Sequence, residues 1–162
     1  MKARRAMLHL VVLGAAFLSV LGRAQTFKVR VLDALRGSPY NDMPVNSFCF
    51  REGERTHTSN RTTLTDSNGV AEILYDCKKG ETINLLTGAL DGKSKWTGKV
   101  EECGYLDSLT IEQILNVGVV SNPSAPGGIW CPAKISKKMK PIPGQVIIFA
   151  KKPTWWQKHV AP

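Results

Sequence analysis

Cysteines carry the most specific chemistry of this chain, at Cys49, Cys77, Cys103 and Cys131. An even number of cysteines in an exported chain is typical of disulfide bonds. A zinc site is the alternative, but no cysteine pair has the C-x-x-C spacing, and neither His57 nor His159 lies at ligand spacing from a cysteine. The sequence therefore predicts two disulfides and no metal, with the connectivity left open among three arrangements.

A second group of residues suited to binding is basic and lies near the C-terminal end. No Asp or Glu follows Glu112, whereas lysines do, at Lys134, Lys137, Lys138, Lys140, Lys151, Lys152 and Lys158. Trp155 and Trp156 stand among the last of them. Positive charge beside exposed aromatic rings suits acidic partners. We expect a contact surface here for an extracellular protein, an anionic glycan or another anionic surface; a solvated basic face and a core-closing tryptophan are the alternatives.

Catalytic arrangements are not recognisable. His57 lies in a polar segment and His159 in the tail, and neither belongs to a nucleophile–base motif. Gly127-Gly128 lacks the following Lys-Ser/Thr of a phosphate-binding loop. The sequence therefore predicts a protein that is not an enzyme and uses no cofactor, and export argues against nucleic acid as a partner.

The first 24 residues have the pattern of a secretory signal peptide. A basic start is followed by an apolar run from Met7 to Leu21, and small residues at Gly22 and Ala24 precede Gln25. The run is shorter than the ~20 residues that span a membrane. We expect cleavage after Ala24, a secreted, extracellular protein with no transmembrane span, and a formal net charge that falls from +9 to about +5 as Lys2, Arg4, Arg5 and Arg23 are lost.

The remaining chain has the length of one domain and reads as strands separated by turns. Phe27, Val29 and Val31 alternate with polar residues, which is the period of a half-buried strand, and Gly37-Ser38-Pro39 ends the run. Turn signals recur along the chain at short intervals. The pattern predicts an all-β, antiparallel β-sandwich over residues 25–150, stabilised by disulfides, and a basic, Trp-containing tail over residues 151–162.

Three local predictions accompany this fold. Asp66-Ser67-Asn68-Gly69 is a strong turn signal between two β-rich runs and predicts a hairpin. Residues 108–116 fit a short helix, with Thr110 and Gln113 resembling a capping box, although the β-rich surroundings favour a strand. Asn60 begins an N-x-T sequon and is predicted to carry a glycan on an exposed edge.

Two short motifs resemble the first strand and turn of the transthyretin family. They are Val31-Leu32-Asp33-Ala34 and Arg36-Gly37-Ser38-Pro39, and one residue separates them. Thr65-Asp66-Ser67-Asn68-Gly69 looks like the turn that follows that family's second strand. The resemblance covers about residues 27–74. It implies a prealbumin-like sandwich, an architecture that it shares with immunoglobulin-like domains.

The transthyretin family contains a hydrolase branch and a carrier branch, and each of the two functions depends on particular residues. The family's hydrolase branch, which acts on 5-hydroxyisourate, uses a histidine where this chain has Arg30, and a guanidinium cannot act as a general base at neutral pH. The thyroid-hormone carrier branch has a lysine at the position of Arg30 and a leucine at that of Leu32. Its channel glutamate would fall on Val70. We therefore expect a secreted, non-enzymatic binding or matrix-associated module; a carrier of small hydrophobic or anionic ligands, lined by Arg30 and Leu32, is the alternative.

Overall fold

The structure is a computed structural model that describes residues 25–54, 56–88, 101–103, 106, 108–121 and 135–152. Within these ranges the chain is mostly β, with one short α-helix and one short 3-10 helix. The elements in chain order are β1 (Thr26–Asp33), β2 (Pro44–Arg51), β3 (His57–Leu64), β4 (Val70–Leu74), β5 (Glu81–Thr87), β6 (Glu101–Cys103), β7 (Leu109–Thr110), α1 (Ile111–Asn116), β8 (Val119–Val120), the 3-10 helix (Ser136–Lys138) and β9 (Gln145–Lys151).

The described strands form two sheets. The first has the order β4-β1-β9-β6, with β8 also paired to β9, and the second has the order β3-β2-β5-β7. The prediction of a mainly β fold is confirmed, but the prediction of purely antiparallel pairing is wrong. β1 and β8 both pair with β9 in parallel. β9 is buried over Val146–Ala150, on both of its faces, which is how strands with parallel neighbours are usually found.

The alternation in β1 orients the strand as the sequence predicts. Phe27, Val29 and Val31 are buried, and they belong to a core that also contains Ile83 and Leu85 from the second sheet. Side chains from both sheets therefore belong to one apolar core. Burial of this apolar surface is the main favourable contribution to folding.

The opposite face of the first sheet is covered at one end. Buried apolar side chains from β1 and β9 form a second cluster there, and partly buried residues from β8 and the segment around the 3-10 helix pack against it. The cluster consists of Leu32, Ala34, Ile147 and Phe149, with Val120, Ile135 and Met139 packed on top. We call it the outer cluster. It explains why Leu32, on the polar face of the predicted strand pattern, is buried.

The turn at Asp66–Gly69 forms as predicted, but it does not make a hairpin. Oδ1 of Asp66 accepts hydrogen bonds from the backbone N–H groups of Asn68 and Val70, both at 2.9 Å. β3, before the turn, pairs with β2, whereas β4, after it, pairs with β1. The predicted hairpin is therefore wrong, and this turn carries the chain from one sheet to the other.

The preference for a strand over residues 108–116 is also wrong for most of that segment. Only Leu109–Thr110 form a strand, and α1 follows at once. Oγ1 of Thr110 accepts a hydrogen bond from the backbone N–H of Gln113 at 3.1 Å, so the Thr110 half of the predicted capping box is confirmed. Ile114 on α1 is fully buried in the shared core, which anchors the helix.

One disulfide is present among the described residues, and it joins Cys49 to Cys77. Cys49 lies on β2 of the second sheet, and Cys77 follows β4 of the first. The bond therefore ties the two sheets together. Cys103 lies in β6, and Cys131 lies outside the described residues, so the second of the two predicted disulfides stays a prediction.

Candidate functional site

The parallel pairing of β1 and β9 brings several basic residues to one end of the first sheet. Both strands end there, and the backbone N–H of Ala34 donates to the carbonyl oxygen of Ala150 at 2.8 Å. Arg36 lies in the turn that leaves β1, and Lys151 and Lys152 come at the end of β9. Residues far apart in the sequence therefore approach each other because of the sheet topology.

Lys137 and Lys138 reach the same end through the residues that flank the 3-10 helix. A Cβ at Gly37 would lie 3.5 Å from side-chain carbons of Ile135, so Ile135 packs on the turn that follows β1. Met139 packs on the outer cluster. With both flanking side chains held, Lys137 and Lys138 are exposed between them.

We call Arg36, Lys137, Lys138, Lys151 and Lys152 the basic end. Four of these residues are among the lysines that the sequence singled out, and Arg36 was missed. The sequence shows a basic residue in the Arg-Gly-Ser-Pro turn. Only the parallel pairing of β1 with β9 shows that this turn lies beside the end of β9. Lys140 is exposed on the same segment, two residues beyond Lys138.

Lys152 lies over an aromatic ring. Its Nζ is 6.0 Å from the ring centroid of Tyr40, at the outer limit of a cation–π contact. Desolvation by burial, together with a hydrogen bond to Asp33, raises the pKa of Tyr40 far above its ordinary value. The phenol therefore stays neutral at physiological pH, so the ring below Lys152 carries no charge.

The exposed lysines of the 3-10 helix region are not neutralised by neighbouring acids. Ion pairs between described residues join Arg51 to Glu54, Arg51 to Glu81 and Arg61 to Asp76, and none of these three involves Lys137, Lys138 or Lys140. The chain has no Asp or Glu after residue 112. Lys137, Lys138 and Lys140 therefore present their side chains to solvent without an ion pair among the described residues.

Part of the predicted contact surface lies outside the described residues. This applies to Lys134, Trp155, Trp156 and Lys158. Lys151, predicted as the first residue of a tail, is the last residue of β9. The aromatic part of the predicted surface therefore stays a prediction, and the described part of the site is basic.

The predicted carrier residues lie on the outer face of the first sheet. Leu32 is buried in the outer cluster against Ile147 and Phe149. Arg30 is half-buried, and its Nε is buried without a hydrogen-bond partner in the described part of the chain. The packing around Leu32 is filled by side chains, so it offers no wall to a ligand channel.

Two neighbouring clefts occur elsewhere among the described residues, and the sequence did not predict them. One has a volume of about 660 Å³ and lies between Gln25, the segment from Tyr75 to Thr82, and α1. The other, of about 610 Å³, extends from Arg51 to Ser108. Neither is lined by Arg30 or Leu32.

Glu81 is a buried acidic residue at the first of these clefts. Its Oε2 accepts hydrogen bonds from the hydroxyl of Thr58 at 3.2 Å and from the backbone N–H of Lys78 at 2.8 Å. Its Oε1 lies 3.9 Å from the guanidinium of Arg51. Oε2 thus ties the start of β5 to β3, whereas Oε1 is buried without a hydrogen-bond partner in the described part of the chain.

The sequon asparagine lies where a glycan can be accommodated. Asn60 is exposed on β3, which is an edge strand of the second sheet, and its partner across the strand pair is Phe48. His57, on the same strand, is exposed and lies with its ring centroid 5.5 Å from that of Phe48. The predicted exposure of Asn60 is confirmed, whereas its modification stays a prediction.

No protein-family model matches the chain, and neither a curated protein nor a solved structure matches it. Within the described ranges, no helix is long and apolar enough to cross a membrane. No group of three or more His, Cys, Asp or Glu side chains in those ranges is placed to hold a metal ion.

Proposed function

We propose that the protein is a secreted, non-enzymatic binding module that attaches to sulfated glycans of the extracellular matrix through its basic end. The single observation that carries this proposal is the convergence of Arg36, Lys137, Lys138 and the end of β9 at one end of the first sheet. Clustered cations raise the local concentration of anionic ligands and speed their association. Lysine is a compact, hydrated charge, which suits binding to repeated sulfate groups without a deep pocket.

A sulfated polysaccharide is preferred over the other acidic partners for a geometric reason. The basic end contains residues from three separate chain segments, and its lysines at 137 and 138 are exposed on a surface without a described cleft. A flexible polyanion can contact exposed charges on separate chain segments at several points. An extracellular protein and another anionic surface are the other predicted partners.

We further propose that the two sheets form a disulfide-stabilised sandwich of the prealbumin-like type. The core shared by Val29, Val31, Ile83 and Leu85 supports a face-to-face arrangement. The Cys49–Cys77 bond supports it as well, because it links β2 to the segment after β4. The parallel pairing of β1 and β9 requires one mixed sheet in such a sandwich.

Secretion is supported by the leader pattern in residues 1–24 and by the disulfide, since disulfides persist in oxidising compartments. Expression of the full chain in secreting cells should release it to the medium with Gln25 as its first residue. The exposed Asn60 should carry an N-linked glycan in that material. Loss of a glycosidase-sensitive mass shift in N60Q would identify the site.

Retention on immobilised heparin tests the binding proposal. The chain should elute above physiological salt, and K137Q/K138Q should elute earlier. K78Q/K79Q removes the same number of charges near Tyr75, at the opposite end of β1, and serves as the matched control. Equal retention of both variants would remove the basic end from the proposal. A desulfated heparin matrix should retain none of the three proteins.

The carrier alternative is separable by experiment. An anionic, thyroid-hormone-like fluorescent probe should show no saturable binding, because Leu32 is enclosed by the outer cluster. Saturable binding that is lost in R30Q would favour the carrier instead.

A further inference from the structure

Gln25 is held by Tyr75 through two hydrogen bonds. The Tyr75 hydroxyl donates to the side-chain oxygen Oε1 of Gln25 at 2.6 Å. The backbone N–H of Tyr75 donates to the carbonyl oxygen of Gln25 at 3.3 Å. The side-chain amide of Gln25 is therefore fixed with its carbonyl oxygen against a phenol.

The position of that phenol is determined by packing. The ring of Tyr75 packs against the shared core, with its centroid 5.8 Å from that of Phe27. Desolvation by burial raises the pKa of Tyr75 above its ordinary value. The hydroxyl therefore keeps its proton at neutral pH and remains a hydrogen-bond donor.

Gln25 is also the residue that follows the predicted leader. Removal of residues 1–24, which belongs to the proposed function, would give Gln25 a free α-amine. That amine and the side-chain amide carbon of the same residue can join in a five-membered ring. Because the amine and the amide carbon belong to one residue, their reaction is intramolecular. The entropic part of its activation barrier is therefore lower than for two separate molecules.

We propose that Gln25 closes to a pyroglutamyl residue after the leader is removed, with Tyr75 as the oxyanion donor. The α-amine nitrogen attacks Cδ of the side chain and forms the new C–N bond. The Tyr75 hydroxyl stabilises the negative charge that develops on Oε1. The bond from Cδ to the side-chain nitrogen then breaks, and ammonia leaves with the proton that the amine gives up. No oxidant, reductant or other reactant is needed.

The reaction would change the charge at the edge of the larger cleft. Gln25, Lys78 and Lys79 all line that cleft. Closure replaces a cationic amine with a neutral lactam beside these two lysines, which relieves like-charge repulsion. It also removes the free amine that aminopeptidases require. The modification therefore protects the end of β1, which pairs with β4 from Thr26 onward.

The cyclisation of Gln25 can be measured independently of how the leader is removed in cells. Residues 25–162 are produced, with their disulfides formed, behind a carrier domain that a protease removes without leaving any residue before Gln25. Mass spectrometry then follows the loss of one ammonia with time. Y75F lacks only the phenolic oxygen, and Y40F, which lacks a phenol at the other end of β1, is the matched control.

The folded wild-type chain and Y40F should cyclise at the same rate, and Y75F about tenfold more slowly. In denaturant, all three should cyclise equally. Equal rates for folded wild type and Y75F would overturn the role of Tyr75. A folded chain that retains its free amine for longer than the denatured chain would overturn the proposal itself.

The first residue of the chain secreted by cells tests the predicted cleavage after Ala24, independently of the cyclisation rates. A chain from the medium that begins with a cyclised Gln25 would support both steps. A chain that begins at another residue would overturn the predicted cleavage, and with it the natural occurrence of the modification, whatever the rate measured in vitro.

Discussion

The Tyr40 hydroxyl donates a hydrogen bond to Oδ2 of Asp33 at 2.9 Å, while Oδ1 of Asp33 accepts hydrogen bonds from the backbone N–H groups of Leu35 and Arg36. One carboxylate therefore holds the turn that carries Arg36 and the ring over which Lys152 lies. The basic end thus depends on a single acidic residue at the end of β1.

Removal of this carboxylate should destabilise the fold. D33A deprives Tyr40 and the turn of their acceptor and should cost about 2 kcal/mol of unfolding free energy. D33N should cost less, because an amide oxygen can still accept from the backbone of Leu35 and Arg36. Urea unfolding measures both. A D33A variant as stable as D33N would contradict the role given to the turn hydrogen bonds.

Loss of the observed disulfide should have a larger effect. Cys49 and Cys77 are 28 residues apart. Closing a loop of that length lowers the conformational entropy of the unfolded chain, which should stabilise the folded state by about 3–4 kcal/mol. C49A/C77A should lose stability of this order in urea unfolding. A loss below about 1 kcal/mol would show that the bond does not constrain the unfolded chain as proposed.

The same bond makes the connectivity testable. With Cys49 paired to Cys77, two disulfides require Cys103 to pair with Cys131. Proteolysis without reduction, followed by mass spectrometry, should therefore yield linked peptides for these two pairs alone. A peptide that links Cys103 to Cys49 or Cys77 would contradict this assignment.

Gly118 and Gly80 form a matched pair for testing the packing beside α1. Both have positive φ, at 82° and 84°. A Cβ at Gly118 would meet backbone atoms of Ile142 at less than 3 Å, whereas a Cβ at Gly80 would meet nothing within 4 Å. G80A should therefore cost about 1 kcal/mol from its backbone conformation alone, and G118A at least about 3 kcal/mol. Thermal unfolding compares them, and equal losses would argue against close packing at residue 142.

Acid should weaken the contacts of Asp76. A hydrogen bond from Ser59 and the Arg61 guanidinium, at 3.1 Å, lower the pKa of Asp76 below its ordinary value of 3.8. A lowered pKa in the folded state means that the stabilisation is complete above the unfolded value and is lost as pH falls through the folded one. D76N should therefore be less stable than wild type at neutral pH, by at most about 1 kcal/mol because the pair is exposed. The difference should close in strong acid; a gap that stayed constant with pH would contradict the charge-based explanation.

The sequence predicts those structural features that are determined by residues close together along the chain. The alternation of Phe27, Val29 and Val31 is local, so the inner face of β1 could be predicted. The cap at Thr110 is local as well, but the β-rich surroundings favour a strand there, and the burial of Ile114 in the core, which holds the helix, has no local signal. The turn at Asp66 was recognised, yet nothing within it indicates that the strands on either side join different sheets.

The candidate site could be predicted only in part, because it depends on long-range pairing. The lysines were visible as a run of charge without acids. Arg36 was not, because β1 and β9 pair across more than a hundred residues and no local signal reports that register. The burial of Leu32 has the same origin, since Ile135 and Met139 cover it from a distant segment.

The most direct test of the account is the affinity of the secreted chain for a sulfated heparin oligosaccharide, measured by titration at several salt concentrations. A lysine near an anionic surface contributes about 1 kcal/mol, so K137Q/K138Q should bind at least about tenfold more weakly at physiological salt. The difference from wild type should shrink as added salt screens the charges. The charge-matched K78Q/K79Q variant should bind like the wild type; equal weakening of both double variants, or wild-type affinity in K137Q/K138Q, would contradict binding through the basic end.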